Sequence, residues 1–264
     1  SPTFSGCNNL TNITFVNNVK CIPNYICKGC NGLTAVTIPD SVTSIGAEAL
    51  SGCTGLTSIS IGYDVITIGY NAFSDCTGLT TVIFNADSCI SVGSSPVFNG
   101  CNNLANFTFG NNVKRIPSNL CNGLSGLTSI TIPNSVTLIS YNAFQNCTGL
   151  TSVIFNADSC ISAGIYDMPV FNGCSNLTSI TFGNNVRHIP SFLCYGCTGL
   201  TAVAIPENVT SIGSYAFKNC SSLNTMYMMP STPPSLGTEP FRSSLPIHLT
   251  GCSYDNYYNS SDWI

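Results

Sequence analysis

Sixteen cysteines in 264 residues are the first chemistry this sequence offers. Cys27-Lys-Gly-Cys30 and Cys194-Tyr-Gly-Cys197 have the Cys-x-x-Cys spacing of thiol–disulfide exchange, or of half a zinc site. The matching stretch Cys121-Asn-Gly-Leu124 breaks that spacing, and no second Cys or His pair stands where a zinc site needs it. The expectation is therefore packing, with no bound metal and no cofactor. Catalysis finds little else to work with. The two histidines, His188 and His248, lie in separate segments, and no nucleophile elbow, phosphate-binding loop or His-Glu-x-x-His motif is present. No enzyme is expected.

The cysteines are better read as marks on a ruler. Cys-x-x-Leu occurs at Cys7/Leu10, Cys30/Leu33, Cys53/Leu56, Cys76/Leu79, Cys101/Leu104, Cys147/Leu150, Cys174/Leu177, Cys197/Leu200 and Cys220/Leu223, with Leu124/Leu127 filling the gap. Successive leucines lie 23, 23, 23, 25, 23, 23, 27, 23 and 23 residues apart. A fixed period of this length marks a repeat array in which each unit buries its apolar side against its neighbours. Nine cysteines fill the anchor, where Leu124 can stand in. Cys27, Cys121 and Cys194 fill a slot held elsewhere by Leu50, Phe73, Phe144 and Phe217, while Cys89 and Cys160 fill that of Val65. All of these are expected to be small core residues with free thiols. Cys21 and Cys252 fall outside the pattern and are expected to be exposed.

After each anchor leucine the apolar residues alternate, as in Leu33-Thr-Ala-Val-Thr-Ile38 and Leu127-Thr-Ser-Ile-Thr-Ile132. A period of two in β-branched and aromatic residues predicts a short strand with one buried face. Pro39, Pro133 and Pro206, or Gly62, Gly110 and Gly183, end it. A Val and an Ile follow, as Val42/Ile45 or Val136/Ile139, and then an Ala-Phe segment such as Ala72-Phe73 or Ala143-Phe144. That last segment is expected to form a single helical turn on the outer side. The predicted fold is a repeat solenoid of about ten 23-residue turns. It has parallel strands on one face and short helical or irregular segments on the other.

The unit from Leu127 through Tyr141-Asn-Ala-Phe-Gln-Asn-Cys147 closely resembles the BspA-like, Treponema pallidum-type leucine-rich repeat. The resemblance covers nearly the whole chain, with residues 1–229 as solenoid and 230–264, with its Thr232-Pro-Pro-Ser-Leu-Gly237 stretch, as closing cap. It implies a non-enzymatic recognition or adhesion role, secreted or at a cell surface. The partners it implies are host or microbial surface proteins or glycans, engaged by a monomer. Ser1-Pro-Thr-Phe-Ser-Gly-Cys-Asn-Asn-Leu10 parallels Ser95-Pro-Val-Phe-Asn-Gly-Cys-Asn-Asn-Leu104, so the chain reads as a piece of a longer protein. Val82-Ile-Phe-Asn-Ala-Asp-Ser-Cys-Ile-Ser91 recurs unchanged at 153–162, in the two turns that carry insertions. Blocks of three and four turns have been duplicated.

Charge is scarce: 7% of residues are charged, against about 25% in a typical soluble domain. Seven Lys+Arg against eleven Asp+Glu leave a net charge of −4, with no basic block for nucleic acid. No uncharged apolar run reaches the roughly 18 residues of a membrane span. The candidate binding surface has three parts. Lys20, Lys114 with Arg115, and Arg187 with His188 share one repeat offset and should line an edge. The outward strand face is built from Ser, Thr, Asn and Ala, broken by Ile83, Ile154 and Tyr227. The insertion at 162–170, with Tyr166, Asp167 and Met168, is expected to leave the stack as a loop.

Overall fold

The computed structural model describes residues 4–160, 162–164, 168–250, 256, 257 and 263. Two rows of parallel strands run along it. The first row holds eleven strands of three or four residues, from Asn12–Thr14 to Ile247–Leu249, and the second ten two-residue strands, from Cys21–Ile22 to Ser235–Leu236. Strands pair with the equivalent strand one repeat away, never with their sequence neighbour. Thr131 thus stands opposite Ile154, and Ile154 opposite Thr181. The insertions leave the first-row register intact, since Ile83 pairs with Thr108 as plainly as with Ser60, whereas the second row breaks after each insertion turn, between Ser91–Val92 and Arg115–Ile116 and between Ser162–Ala163 and His188–Ile189.

Alternation sorts the two faces as the sequence predicts. In Ser129–Ile132, Ile130 and Ile132 are buried while Ser129 and Thr131 are exposed. The anchor leucines from Leu33 to Leu200 are wholly buried, each contributing about 1.5–3 kcal/mol of hydrophobic stabilisation. Phenylalanines stack between turns: Phe73 on Phe98 at 5.2 Å and Phe144 on Phe171 at 5.3 Å.

The outer side corrects the expectation of a helical turn. Among the described residues only Asn256 and Tyr257 are helical, and the Ala-Phe segments are turns. A helix would send each N–H back four residues, but here the N–H groups reach the next repeat instead. Leu50 donates to the Ala72 carbonyl at 2.9 Å, Phe73 to Val97 at 3.0 Å and Phe144 to Val170 at 3.0 Å. Left-handed residues re-aim these peptide groups, among them Glu48 (φ 49°), Asn71 (φ 52°), Asn142 (φ 54°) and Tyr215 (φ 57°). The irregular alternative holds. The outer side is a third hydrogen-bonded layer.

Close approach between turns decides one further slot. A Cβ at Gly149 would lie 2.1 Å from the Ser125 carbonyl oxygen, and one at Gly78 would lie 2.2 Å from that of Thr54. After the two insertion turns Asn103 and Asn176 occupy the same slot, and their side-chain amides donate to the Thr77 and Thr148 carbonyls at 2.8 Å.

Every described cysteine except Cys7 and Cys21 is buried, while Cys252 lies outside the described residues. Anchor thiols donate to a carbonyl of the preceding turn: Cys53 to Cys27 (3.2 Å), Cys76 to Leu50 (3.2 Å), Cys147 to Cys121 (3.0 Å) and Cys220 to Cys194 (3.0 Å). A cysteine anchor is thus a small apolar group with one weak donor that has a fixed destination. Cys7 corrects its assignment to the core, since its side chain is exposed. Burial pushes the Cys27 and Cys53 thiols up to about 12, helped by the neighbouring thiol of Cys30. Cys197 is raised by its hydrogen bond with Cys194 and then by burial. These are inert thiols, the opposite of a redox pair.

Two predictions follow from this packing. Gly149→Ala should destabilise the protein by about 1–3 kcal/mol, since backbone must move to admit the methyl; a urea midpoint equal to wild type would refute the close approach. Unfolded thiols release protons near 9.0, whereas Cys27 and Cys53 keep theirs to about 12 in the folded chain. Their contribution is complete below pH 9.0 and is lost as pH rises through that window, because the unfolded state then binds fewer protons. Urea midpoints of the reduced protein should decline between pH 9.0 and about 12. Cys27→Ala/Cys53→Ala should flatten that decline, and an unaltered slope in the variant would count against it.

Candidate functional site

Alternating strands put every second residue of the first row on one open face. Most are small, and three project: Ile83, Ile154 and Tyr227 expose 43%, 46% and 41% of their surface. Ile83 stands between Ser60 and Thr108, and Ile154 between Thr131 and Thr181. Tyr227 rises beside Ala204, and on its other side its ring stacks on that of His248 at 5.5 Å and 29°. The three lie on equivalent strands three turns apart, about 14 Å by ordinary strand spacing. The sequence marked the two isoleucines and the tyrosine, but not the partnership with His248, because no repeat offset links that residue to the array.

The cations take a different row. Lys20, Lys114 and Arg187 occupy equivalent positions, each giving its carbonyl to a threonine N–H of the next turn, at Thr43, Thr137 and Thr210. Arg115 and His188 open the two-residue strands that follow. His188 is half-buried, and its Nδ1 lies 2.7 Å from the Ser211 hydroxyl. The structure therefore keeps the cationic line and the isoleucines on separate rows. Met168 is exposed, while Tyr166 and Asp167 lie outside the described residues. Among the described residues no group of three or more His, Cys, Asp or Glu side chains comes together as a metal site. No helix among them is long and apolar enough to cross a membrane.

A groove missing from the sequence reading lies on the strand face and around its C-terminal ends. It holds about 620 Å³ and runs from the turn of Asn106 and Asn111, past Thr131 and Asn134, to Asn156 and Asn184. No charged side chain lines it. Asn85 and Asn156 lean over the next turn, where a Cβ at Gly110 or Gly183 would stand 2.5 Å from the amide oxygen. Beside it Asp158, Asn185, Arg187 and Asn208 enclose about 200 Å³, which joins one member of the cationic line to the groove's edge. The signal was present in the sequence as asparagine recurring six and seven residues past the anchor. It was legible as a repeat and silent as a site.

Comparison with known proteins agrees with the turn-by-turn geometry. The model of the BspA type leucine-rich repeat region matches in six copies, over residues 1–95, 91–224 and 165–250. Comparison with curated proteins returns no match. Among solved structures, a leucine-rich repeat protein of Bacteroides ovatus is 24% identical, with 91% of this chain and 78% of that one covered at a TM-score of 0.43. A leucine-rich cell surface protein of Faecalibacterium prausnitzii is 30% identical, with 84% and 60% covered and a TM-score of 0.43. The Treponema pallidum leucine-rich repeat protein is 21% identical, with 86% and 82% covered and a TM-score of 0.42. With the repeat model matched over almost its whole length, the chain belongs to the BspA-type leucine-rich repeat family.

Proposed function

We propose that this chain is a non-enzymatic interaction module of a secreted or cell-surface protein, a monomer that binds surface proteins or glycans through its open strand face. The observation that carries this reading is the projection of Ile83, Ile154 and Tyr227 above a floor of Ser, Thr and Ala. Scattered apolar residues are ordinary on a surface, but these three recur at one register position of the repeat. A repeated contact of that kind suits an extended partner, since each turn adds little and the sum is selective. Family membership supports the reading, because such solenoids present extended binding surfaces. The cationic row at Lys20, Lys114, Arg115, Arg187 and His188 would add salt-sensitive contacts at the edge, and Tyr166, Asp167 and Met168 are proposed as further contacts. Residues 230–264 would close the stack. The uniformity of the small floor favours a second reading, a spacer with no ligand of its own.

The test is a titration of the purified protein against extracellular matrix proteins and glycans. Ile83→Ser/Ile154→Ser should weaken the best binder about fivefold or more, the size of a typical anchor contact. If no partner binds, or if the variant binds as well as wild type, the strand face is not the interaction surface and the spacer reading takes its place.

A further inference from the structure

Pairing in the first row lapses at regular intervals. One hydrogen-bonded group joins Asn12–Thr14 to Ala35–Thr37, and the next runs from Ser58–Ile61 to Asn106–Phe109. A third runs from Ser129–Ile132 to Ser179–Phe182, and a fourth from Ala202–Ile205 to Ile247–Leu249. The lapses fall every three turns. At the middle one, Asn106–Phe109 and Ser129–Ile132 follow each other in the array with no ladder between them. Their facing edges carry backbone N–H and C=O groups that a continuous sheet would pair. The residues beneath register the same opening. Phe107 and Phe109 expose 5% and 6%, where Val82 and Phe84 on the preceding paired strand expose 0%.

The uncharged groove opens over this lapse, lined by Ala105 to Phe109 on one side and Ser129 to Thr131 on the other. Its chemistry is narrow. Each asparagine amide brings two donors and an acceptor, a set that meets adjacent hydroxyl groups of a sugar ring well. Thr108, Ser129 and Thr131 add hydroxyls, while Pro133 gives apolar atoms to the C–H face of the ring. The absence of charged lining residues disfavours an acidic glycan. An extended peptide laid on a strand edge draws its specificity from pockets for alternate side chains, and here those positions form the flat row Asn106, Thr108, Ser129 and Thr131. The groove crosses four turns, about 14 Å by strand spacing, room for a short run of sugar rings.

We propose that the lapse between Asn106–Phe109 and Ser129–Ile132, with Asn111, Asn134, Asn156 and Asn184 around it, is a binding cleft for a neutral polysaccharide. The proposal rests on the reading of the chain as an interaction module and names the ligand class of one part of its face. The protein is titrated with an unsubstituted glucan, a mannan and a galactan, in parallel with an acidic polysaccharide and a panel of matrix proteins. At least one neutral polysaccharide should bind, equally at low and high salt, because no ion pair forms. Asn111→Ala/Asn134→Ala/Asn184→Ala should weaken it at least tenfold, and Thr67→Ala, on a second-row strand paired on both sides and away from the groove, should not. Amide hydrogen exchange across 106–109 and 129–132 should slow when the polysaccharide is added to wild-type protein, a readout that stands even if the triple variant fails to fold. Absence of neutral polysaccharide binding, unchanged affinity in a folded triple variant, or unaltered exchange at those amides overturns the proposal. If matrix proteins or the acidic polysaccharide bind while every neutral polysaccharide fails, the cleft is rejected and the module reading survives; if nothing binds in any arm, both fall.

Discussion

Backbone hydrogen bonding between equivalent residues of successive turns is the constraint on which everything else here depends. Each turn must offer its N–H and C=O groups at the same height as its neighbour, so every insertion must leave the stack and every side must find its own pairing. That requirement explains why 25- and 27-residue spacings leave the register of the first row untouched. It explains the outer side as well, where left-handed residues such as Asn71 and Asn142 turn peptide groups along the axis. Side-chain packing then follows, because residues at one offset meet their own kind: leucine beneath leucine, phenylalanine on phenylalanine, thiol toward the carbonyl of the turn before.

Cysteine shows how this constraint changes the meaning of a residue. In isolation Cys27-Lys-Gly-Cys30 has the form of a redox pair. Inside the stack both sulfurs are buried, Cys27 is held neutral far above neutral pH, and Cys30 donates to the Phe4 carbonyl at 2.9 Å. Position in the repeat, and not the local motif, decides the chemistry.

The architecture was largely legible because its signals are periodic. Anchor spacing set the number of turns, alternation set the buried face, and interchange with Leu, Val and Phe identified the buried cysteines. The outer turns were misread for a physical reason. Ala-Phe pairs satisfy a helical apolar pattern equally well, and only the destination of their N–H groups distinguishes the two, which is a property of the neighbouring turn. Of the candidate site, Ile83, Ile154 and Tyr227 could be named because each departs from its repeat. The asparagine groove could not, because its residues obey the repeat and become a site only where paired strands part.

Those partings also bear on how the solenoid carries load. A stack bonded without interruption resists bending and stretching evenly along its length. Here the first row lapses every three turns, and the second row lapses one turn before the middle and the last of these places, so the breaks are staggered along the axis. At each first-row lapse the second row is paired, and at each second-row lapse the first row is paired, so one strand row spans every step between turns. Such staggering lets bending be shared among many places without any step losing its whole backbone ladder.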